Sequence, residues 1–237
     1  MKELAAKDTF YDRLIANQEW DSVTNRYETA RRLELIFGRL LSEAAMKGQR
    51  FLDAGSGGGH FSAAAAAAGA DVYSLDVGMN LLRQVAARCQ SRRVLGSVLE
   101  LPFAENTFDI VLATEIIEHT RDPLRAVRRL CRVVAPGGLI LVTTPCRLWQ
   151  PVVRLATRLR LRPYNGHENF LWLSELVATV RSKGFRIEWA QGFNFCPFFW
   201  RAADPAFRLG DYVLGHRAPW LMVNIGIFAR KLSETRA

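Results

Sequence analysis

Three features predict a doubly wound α/β sheet for this chain. From about residue 50 onward, apolar runs of strand length alternate with segments of helical spacing, two of those runs end in an aspartate, and a glycine-rich turn follows the first. With 237 residues, 49% apolar and 23% charged, the chain can bury a large core and is unlike a disordered, collagen-like or coiled-coil sequence. Its 32 Lys+Arg against 23 Asp+Glu leave a net charge of +9. That surplus favours an anionic partner without choosing among nucleic acid, acidic substrate and membrane surface.

The elements follow in order. Asn25 to Met46 reads as an amphipathic helical lead-in, with Leu33, Ile36, Phe37, Leu40 and Leu41 on one side. Arg50 to Asp53 reads as a strand, followed by Ala54-Gly55-Ser56-Gly57-Gly58-Gly59 and an alanine-rich helix over His60 to Ala68 that Gly69 caps. Asp71 to Asp76 is a second strand, and Asn80 to Cys89 has helical spacing. Val94 to Val98 reads as a weak third strand and Phe108 to Ala113 as a strong fourth. Pro123 to Val134 is a helix opened by Asp122 and ended before Pro136-Gly137-Gly138. Leu139 to Thr143 is an uninterrupted apolar strand, the pattern of a strand covered on both faces. Leu173 to Lys183 is a further helix, and Phe185 to Trp189 and Trp220 to Phe228 are late strands.

The four cysteines, Cys89, Cys131, Cys146 and Cys196, form no CxxC pair and read as reduced core thiols. No apolar signal-peptide core follows Met1, and the blandest stretch, Ser62 to Ala70, is far too short to span a bilayer. A cytoplasmic protein, at most peripheral to a membrane, is expected.

A strand ending in Asp53, then Gly55-x-Gly57-x-Gly59, then a helix, is the pattern of a nucleotide-binding turn. Asp76, closing the next strand, stands where a carboxylate accepts both ribose hydroxyls in dinucleotide folds. A purely structural turn is the bland alternative. A dehydrogenase fits less well, because its fingerprint is GxGxxG whereas this run is Gly55-Ser56-Gly57-Gly58-Gly59-His60, with Phe61 rather than glycine at the next turn. Asp53 would also repel a phosphate; it suits a ligand with a cationic end, such as the ammonium of an amino acid.

These residues resemble the class I S-adenosylmethionine (SAM)-dependent methyltransferases. Phe51 to Gly59 is similar to their first motif, Leu101-Pro102-Phe103 to Phe108-Asp109 to their "LPF…FD" segment, and Glu115-Ile116-Ile117-Glu118-His119 and Val134 to Gly138 to the two blocks that follow. The resemblance covers roughly residues 27 to 229 and is nearest the ubiquinone-biosynthesis O-methyltransferase branch. It implies a Rossmann-like, seven-stranded, mostly parallel sheet of order 3-2-1-4-5-7-6 with helices on both faces, the last strand antiparallel. It implies a helical lead-in or cofactor lid over residues 1–48 and a SAM-binding domain over 49–237 with an insertion at 146–170.

The same resemblance assigns SAM as the cofactor. Asp53, Gly55, Ser56 and Gly57 would border its methionine part, Asp76 and Val77 its ribose, and Ser97 and Val98 its adenine. Arg32 aligns with an arginine that contacts the cofactor carboxylate, and Thr114 and Glu115 lie near the sulfonium end. Many relatives carry an acid at the Ser97 position, and a serine accepts the adenine amino group only weakly.

For an oxygen nucleophile the protein supplies orientation and a base. His119, after the fourth strand on the carboxyl edge, is the first candidate base, with support of the next helix as its bland alternative. His167, in Tyr164-Asn165-Gly166-His167-Glu168-Asn169, is the second, with a solvated loop histidine as its alternative. Glu115, Glu118 and His119 match a triplet proposed to hold a divalent metal in the ubiquinone branch; the same block occurs in metal-free relatives, and no metal is expected. Phe193, Phe195, Phe198, Phe199 and Trp200 could wall an apolar acceptor pocket or be ordinary core.

The leading expectation is O-methylation of an apolar small molecule: a lipid, a quinone-like compound or a natural-product intermediate. N- or C-methylation of a small metabolite, and a catalytically weak SAM-binding partner subunit, are the alternatives. A nucleic-acid substrate is not expected, because no NPPY-type tetrapeptide follows strand four. Over residues 147–162, Arg147, Arg154, Arg158 and Arg162 fall on one helical face and Leu148, Trp149, Val152, Val153, Leu155, Ala156 and Leu159 on most of the other. Peripheral membrane contact through this segment, as in the ubiquinone branch, or an active-site lid with its apolar face packed on the protein, are the two readings.

Overall fold

The computed structural model describes residues 26–159, 168–194, 211 and 213–233. Helix α1 (Arg26–Leu35) runs into a π-helical turn over Ile36–Leu40, and a short α2 (Glu43–Met46) follows. Strand β1 (Arg50–Ala54), α3 (His60–Ala67), β2 (Asp71–Asp76), α4 (Met79–Arg88), β3 (Arg92–Leu95) and β4 (Phe108–Thr114) continue the alternation. Then come α5 (Pro123–Val133), β5 (Val134–Pro145), α6 (Gln150–Arg158), α7 (Leu173–Arg181), β6 (Phe185–Phe193) and β7 (Asn224–Lys231). The strands form one seven-stranded sheet in the order β3-β2-β1-β4-β5-β7-β6, as the sequence resemblance implied.

Two compact units make up the described chain: residues up to Leu112 with Val133–Gly138, and Ala113–Arg132 with the residues from Leu139 on. In the first, β1 lies parallel between β2 and β4, with Asp53 level with Ser74 and Leu112. Phe51, Leu52, Val111 and Leu112 are buried completely, which explains their unbroken apolar runs. Phe37 of the lead-in stacks near Phe51 and Phe61, with ring centroids 6.4 and 6.5 Å away. In the second unit, β7 pairs antiparallel with both β5 and β6. Asp122 accepts from the Arg125 amide at 2.8 Å and so caps α5, which buries Ala126, Val127 and Leu130 and exposes Arg125, Arg128 and Arg129.

Four of the boundaries that differ from the expectation have a visible local cause. The lead-in is not one helix: Ser42 starts a new turn by accepting from the Ala45 amide, and Leu41 before it is extended. The third strand runs over Arg92–Leu95 rather than Val94 to Val98, because Gly96 turns away by donating its amide to the Asp76 carbonyl at 2.9 Å. Arg92 and Arg93 are exposed on this edge strand, where charge discourages pairing with another chain. The last strand starts at Asn224 instead of Trp220, since Pro219 opens a 3₁₀ turn through Leu221. The fifth strand begins at Val134 and includes Pro136-Gly137-Gly138, with Gly137 at φ 77°. A side chain at Gly138 would meet the Asp109 carbonyl at 2.8 Å, so only glycine lets the two backbones come this close.

Candidate active site

The glycine loop of the first unit hangs from the end of β2. The Gly55 and Ser56 amides both donate to the Leu75 carbonyl, at 2.8 and 3.0 Å. Gly59 takes φ +85°, and a Cβ there would lie 3.0–3.2 Å from Val85, so helix α3 can start here only behind a glycine. Asp76 fixes both flanking turns: its Oδ2 accepts from the Gly57 amide at 2.9 Å and its Oδ1 from the Gly78 amide at 3.0 Å.

Asp53 is fully buried, and its Oδ2 accepts from the Ser62 hydroxyl at 2.7 Å. The hydroxyl chain continues from Ser62 to Ser74 at 2.7 Å and from Ser74 to Ser91 at 2.9 Å. The other oxygen, Oδ1, is buried with no hydrogen-bond partner among the described residues, as is the Ser56 hydroxyl. These two orphaned groups beside a glycine loop fit a ligand that brings a donor or a cation. Neither Ser62 nor Ser74 stands out in sequence: one is lost in an alanine run, and the other is a strand residue.

Burial raises the Asp53 pKa from 3.8 to about 7, with the charge of Asp76 adding to it and the Ser62 hydrogen bond opposing it. Between those values the folded chain keeps a proton that the unfolded chain has lost. Stability from this group therefore falls as pH rises from about 4 to about 7, and the full cost, roughly 4 kcal/mol, stands above that. Asp53→Asn removes the dependence. In thermal melts from about pH 4.5 to about pH 8, wild type loses stability relative to this variant. A difference between the two that stays constant across that range refutes the titration of Asp53.

In the second unit, Thr114 is buried at the end of β4, and Glu115 follows with φ 50°. The Glu115 carboxylate accepts from Thr143 at 2.9 Å and from Asn224 at 2.8 Å, tying the turn to β5 and β7. Ile117–His119 is a 3₁₀ turn. Glu118 is 2% exposed, accepts from Thr144 at 3.1 Å, and is held well above the usual carboxylate range by burial and by the charge of Glu115. His119 is half-buried, with Nε2 3.8 Å from Glu118 Oε1. Asn169 braces this turn: its backbone amide donates to the Glu118 carbonyl at 2.8 Å and its side-chain amide to the Thr120 carbonyl at 2.9 Å. Among the described residues, no group of three or more His, Cys, Asp or Glu could hold a metal ion.

The remaining candidates are placed as follows. Arg32 is half-buried in the last turn of α1, and Val77 is half-buried between β2 and α4. Ser97 and Val98 lie in the turn after β3, where the Ser97 hydroxyl accepts from the Leu99 amide at 3.2 Å. Phe193 is buried core at the end of β6. His167, Arg162, Phe195, Cys196, Phe198, Phe199 and Trp200 lie outside the described residues. Cys131 and Cys146 are buried free thiols and Cys89 is a partly exposed one. Among the described residues, no helix is long and apolar enough to cross a membrane.

Residues 52–142 match the family model described as a methyltransferase domain. The chain is 32% identical to the ubiquinone biosynthesis O-methyltransferase of Bordetella avium, over 65% of this chain and 68% of the relative. In structure it is similar to an S-adenosylmethionine-dependent methyltransferase from Mesorhizobium loti, with a TM-score of 0.63 and 19% identity over 86% of this chain and 97% of the other. It is also similar to the [4+2]-cyclase SpnF, with a TM-score of 0.55 and 20% identity over 79% and 76% of the two chains. The same fold thus carries more than one chemistry, and fold alone does not name the reaction.

Proposed function

Since the chain belongs to the class I SAM-dependent methyltransferases, and SAM is the methyl donor of these enzymes, we propose that it methylates a hydroxyl oxygen on an apolar small molecule. The oxygen acceptor is carried by the likeness to a ubiquinone biosynthesis O-methyltransferase at 32% identity. His119, half-buried on the turn after β4, supports it as a base within reach of the carboxyl edge of the sheet.

The geometry and the resemblance together support the following site residues. Asp76, pinned by two amides, would accept the ribose hydroxyls, with Val77 beside it. Asp53 Oδ1 and the Ser56 hydroxyl would take the amino-acid end, which the glycines at Gly55 and Gly57 leave room to approach. Ser97 and Val98 would border the adenine, and Arg32, Thr114 and Glu115 the rest of the cofactor. When bound, SAM supplies an electrophilic methyl group on a sulfonium. The protein's part is to orient the acceptor hydroxyl and to remove its proton as the oxygen attacks, the role given to His119. His167 is the second candidate for that role. The test is label transfer from methyl-labelled SAM to a set of apolar phenols and catechols, each paired with its O-methyl ether. Methylation of the free hydroxyl and not of the ether is expected; label on nitrogen or carbon acceptors alone would overturn the reading.

Peripheral membrane contact through residues 147–162 belongs to the same proposal. The segment forms a 3₁₀ turn over Arg147–Trp149 followed by α6. Val152, Leu155 and Leu159 are 53%, 57% and 58% exposed, so its apolar side is not packed as a closed lid would pack it. The Trp149 indole donates to the Leu221 carbonyl at 3.2 Å, joining the segment to a turn on which Trp220 and Leu221 are also exposed. Apolar groups flanked by Arg154 and Arg158 suit the headgroup layer of an anionic bilayer, where each basic residue contributes about 1 kcal/mol. Co-sedimentation with phosphatidylglycerol vesicles at low salt is expected, with Leu155→Glu or Arg154→Glu/Arg158→Glu releasing the protein. Protein that stays in the supernatant at low salt refutes the contact.

A further inference from the structure

A cavity of about 500 Å³ opens in the second unit, between the start of α5, the start of α6 and the segment leading into α7. Its volume is in the range of a small-ligand site. Three guanidinium groups, Arg121, Arg147 and Arg154, line it, together with an apolar wall that includes Leu124 and Phe170. Two carboxylates also line it, and both are committed to neighbours. Glu175 accepts from Arg147 at 3.0 Å and from the Trp172 amide at 2.8 Å. Asp122 accepts from the Arg125 amide and pairs at 3.6 Å with Arg128, which does not line the cavity. Arg147 is held rigidly, its Nε donating to the Phe170 carbonyl at 3.0 Å.

Three guanidinium groups against two carboxylates leave a formal surplus of one positive charge around a polar-rimmed, partly apolar hollow. Guanidinium groups arranged in this way match the planar, multidentate recognition of a phosphate. The hollow is much larger than a bare phosphate ion, and its apolar wall offers contact for a short organic body. We infer that this cavity is a binding site for a phosphate ester, with Arg121, Arg147 and Arg154 on the phosphate and Leu124 and Phe170 against the ester's carbon part. The phosphate can belong to a soluble metabolite or to a lipid headgroup. The site does not depend on the proposed membrane contact, since it faces Arg154 and not the apolar residues of α6.

Isothermal titration of the full chain with glycerol 3-phosphate, and with dihexanoyl phosphatidylglycerol kept below its micelle concentration, tests the site. Arg154→Ala and Arg121→Ala each weaken the bound phosphate ester by about 10-fold or more, the loss expected of a charged hydrogen bond. Leu155→Glu leaves soluble-ligand binding unchanged even where it abolishes vesicle binding, which separates this site from the membrane reading. Binding of glycerol 3-phosphate with that arginine dependence supports the site with a soluble ligand. Binding of the short lipid alone, with the same dependence, supports it with a headgroup ligand. No binding of either, or affinities the same in wild type and both arginine variants, overturns it.

Discussion

Replacing His119 with alanine lowers the methyl-transfer rate by about 10²–10⁴ while leaving SAM affinity within a few-fold of wild type. The expectation follows from where the residue stands. It closes a 3₁₀ turn that Asn169 braces through two carbonyls, so the ring is carried on a fixed backbone and is only half-buried. The split between rate and affinity distinguishes a base from a structural histidine, whose loss would disturb both. Single-turnover rates and SAM titrations on the same preparation give the two numbers. A variant with near-normal turnover returns His119 to a supporting role in its turn.

Asp76→Ala weakens SAM binding by about 2 kcal/mol or more, roughly 30-fold, because a charged acceptor for buried hydroxyls is lost. The conservative change should not rescue it. Both oxygens of Asp76 already accept backbone amides, from Gly57 and Gly78, so the amide nitrogen of Asp76→Asn must face one donor with another. Titration calorimetry gives the affinity, and circular dichroism shows whether each variant is folded. A folded Asp76→Ala protein with unchanged affinity removes Asp76 from the cofactor's contacts.

Much of the fold was legible in the chain itself. Strands that are covered on both faces must be continuously apolar, and Phe51-Leu52 and Ile110-Val111-Leu112 announce themselves for that reason. A glycine loop after an apolar run ending in an acid is equally local: Gly59 needs positive φ and has Val85 against it, so no other residue serves. Asp53 and Asp76 as candidate acids, and the capping role of Asp122, are readable because each stands at or next to the end of an element.

What the tertiary structure alone decided are the partners brought from afar. The Ser62 hydroxyl that serves Asp53, the Ser74 hydroxyl behind it, and the Thr143 and Asn224 groups that bond Glu115 come from elements up to 109 residues away. No spacing rule links them, because register between strands sets those distances. The break at Ser42, the start of β7 at Asn224 and the early end of β3 also turn on single hydrogen bonds or a proline that a periodicity cannot weigh. Arg147 and Arg154 were visible as part of one helical face, but the cavity they line exists only because α5 and the approach to α7 close around it. Sequence determines which groups have unmet needs; packing determines which neighbour meets them, since a hydrogen bond or an ion pair depends on distances of a few ångströms that only the folded chain sets.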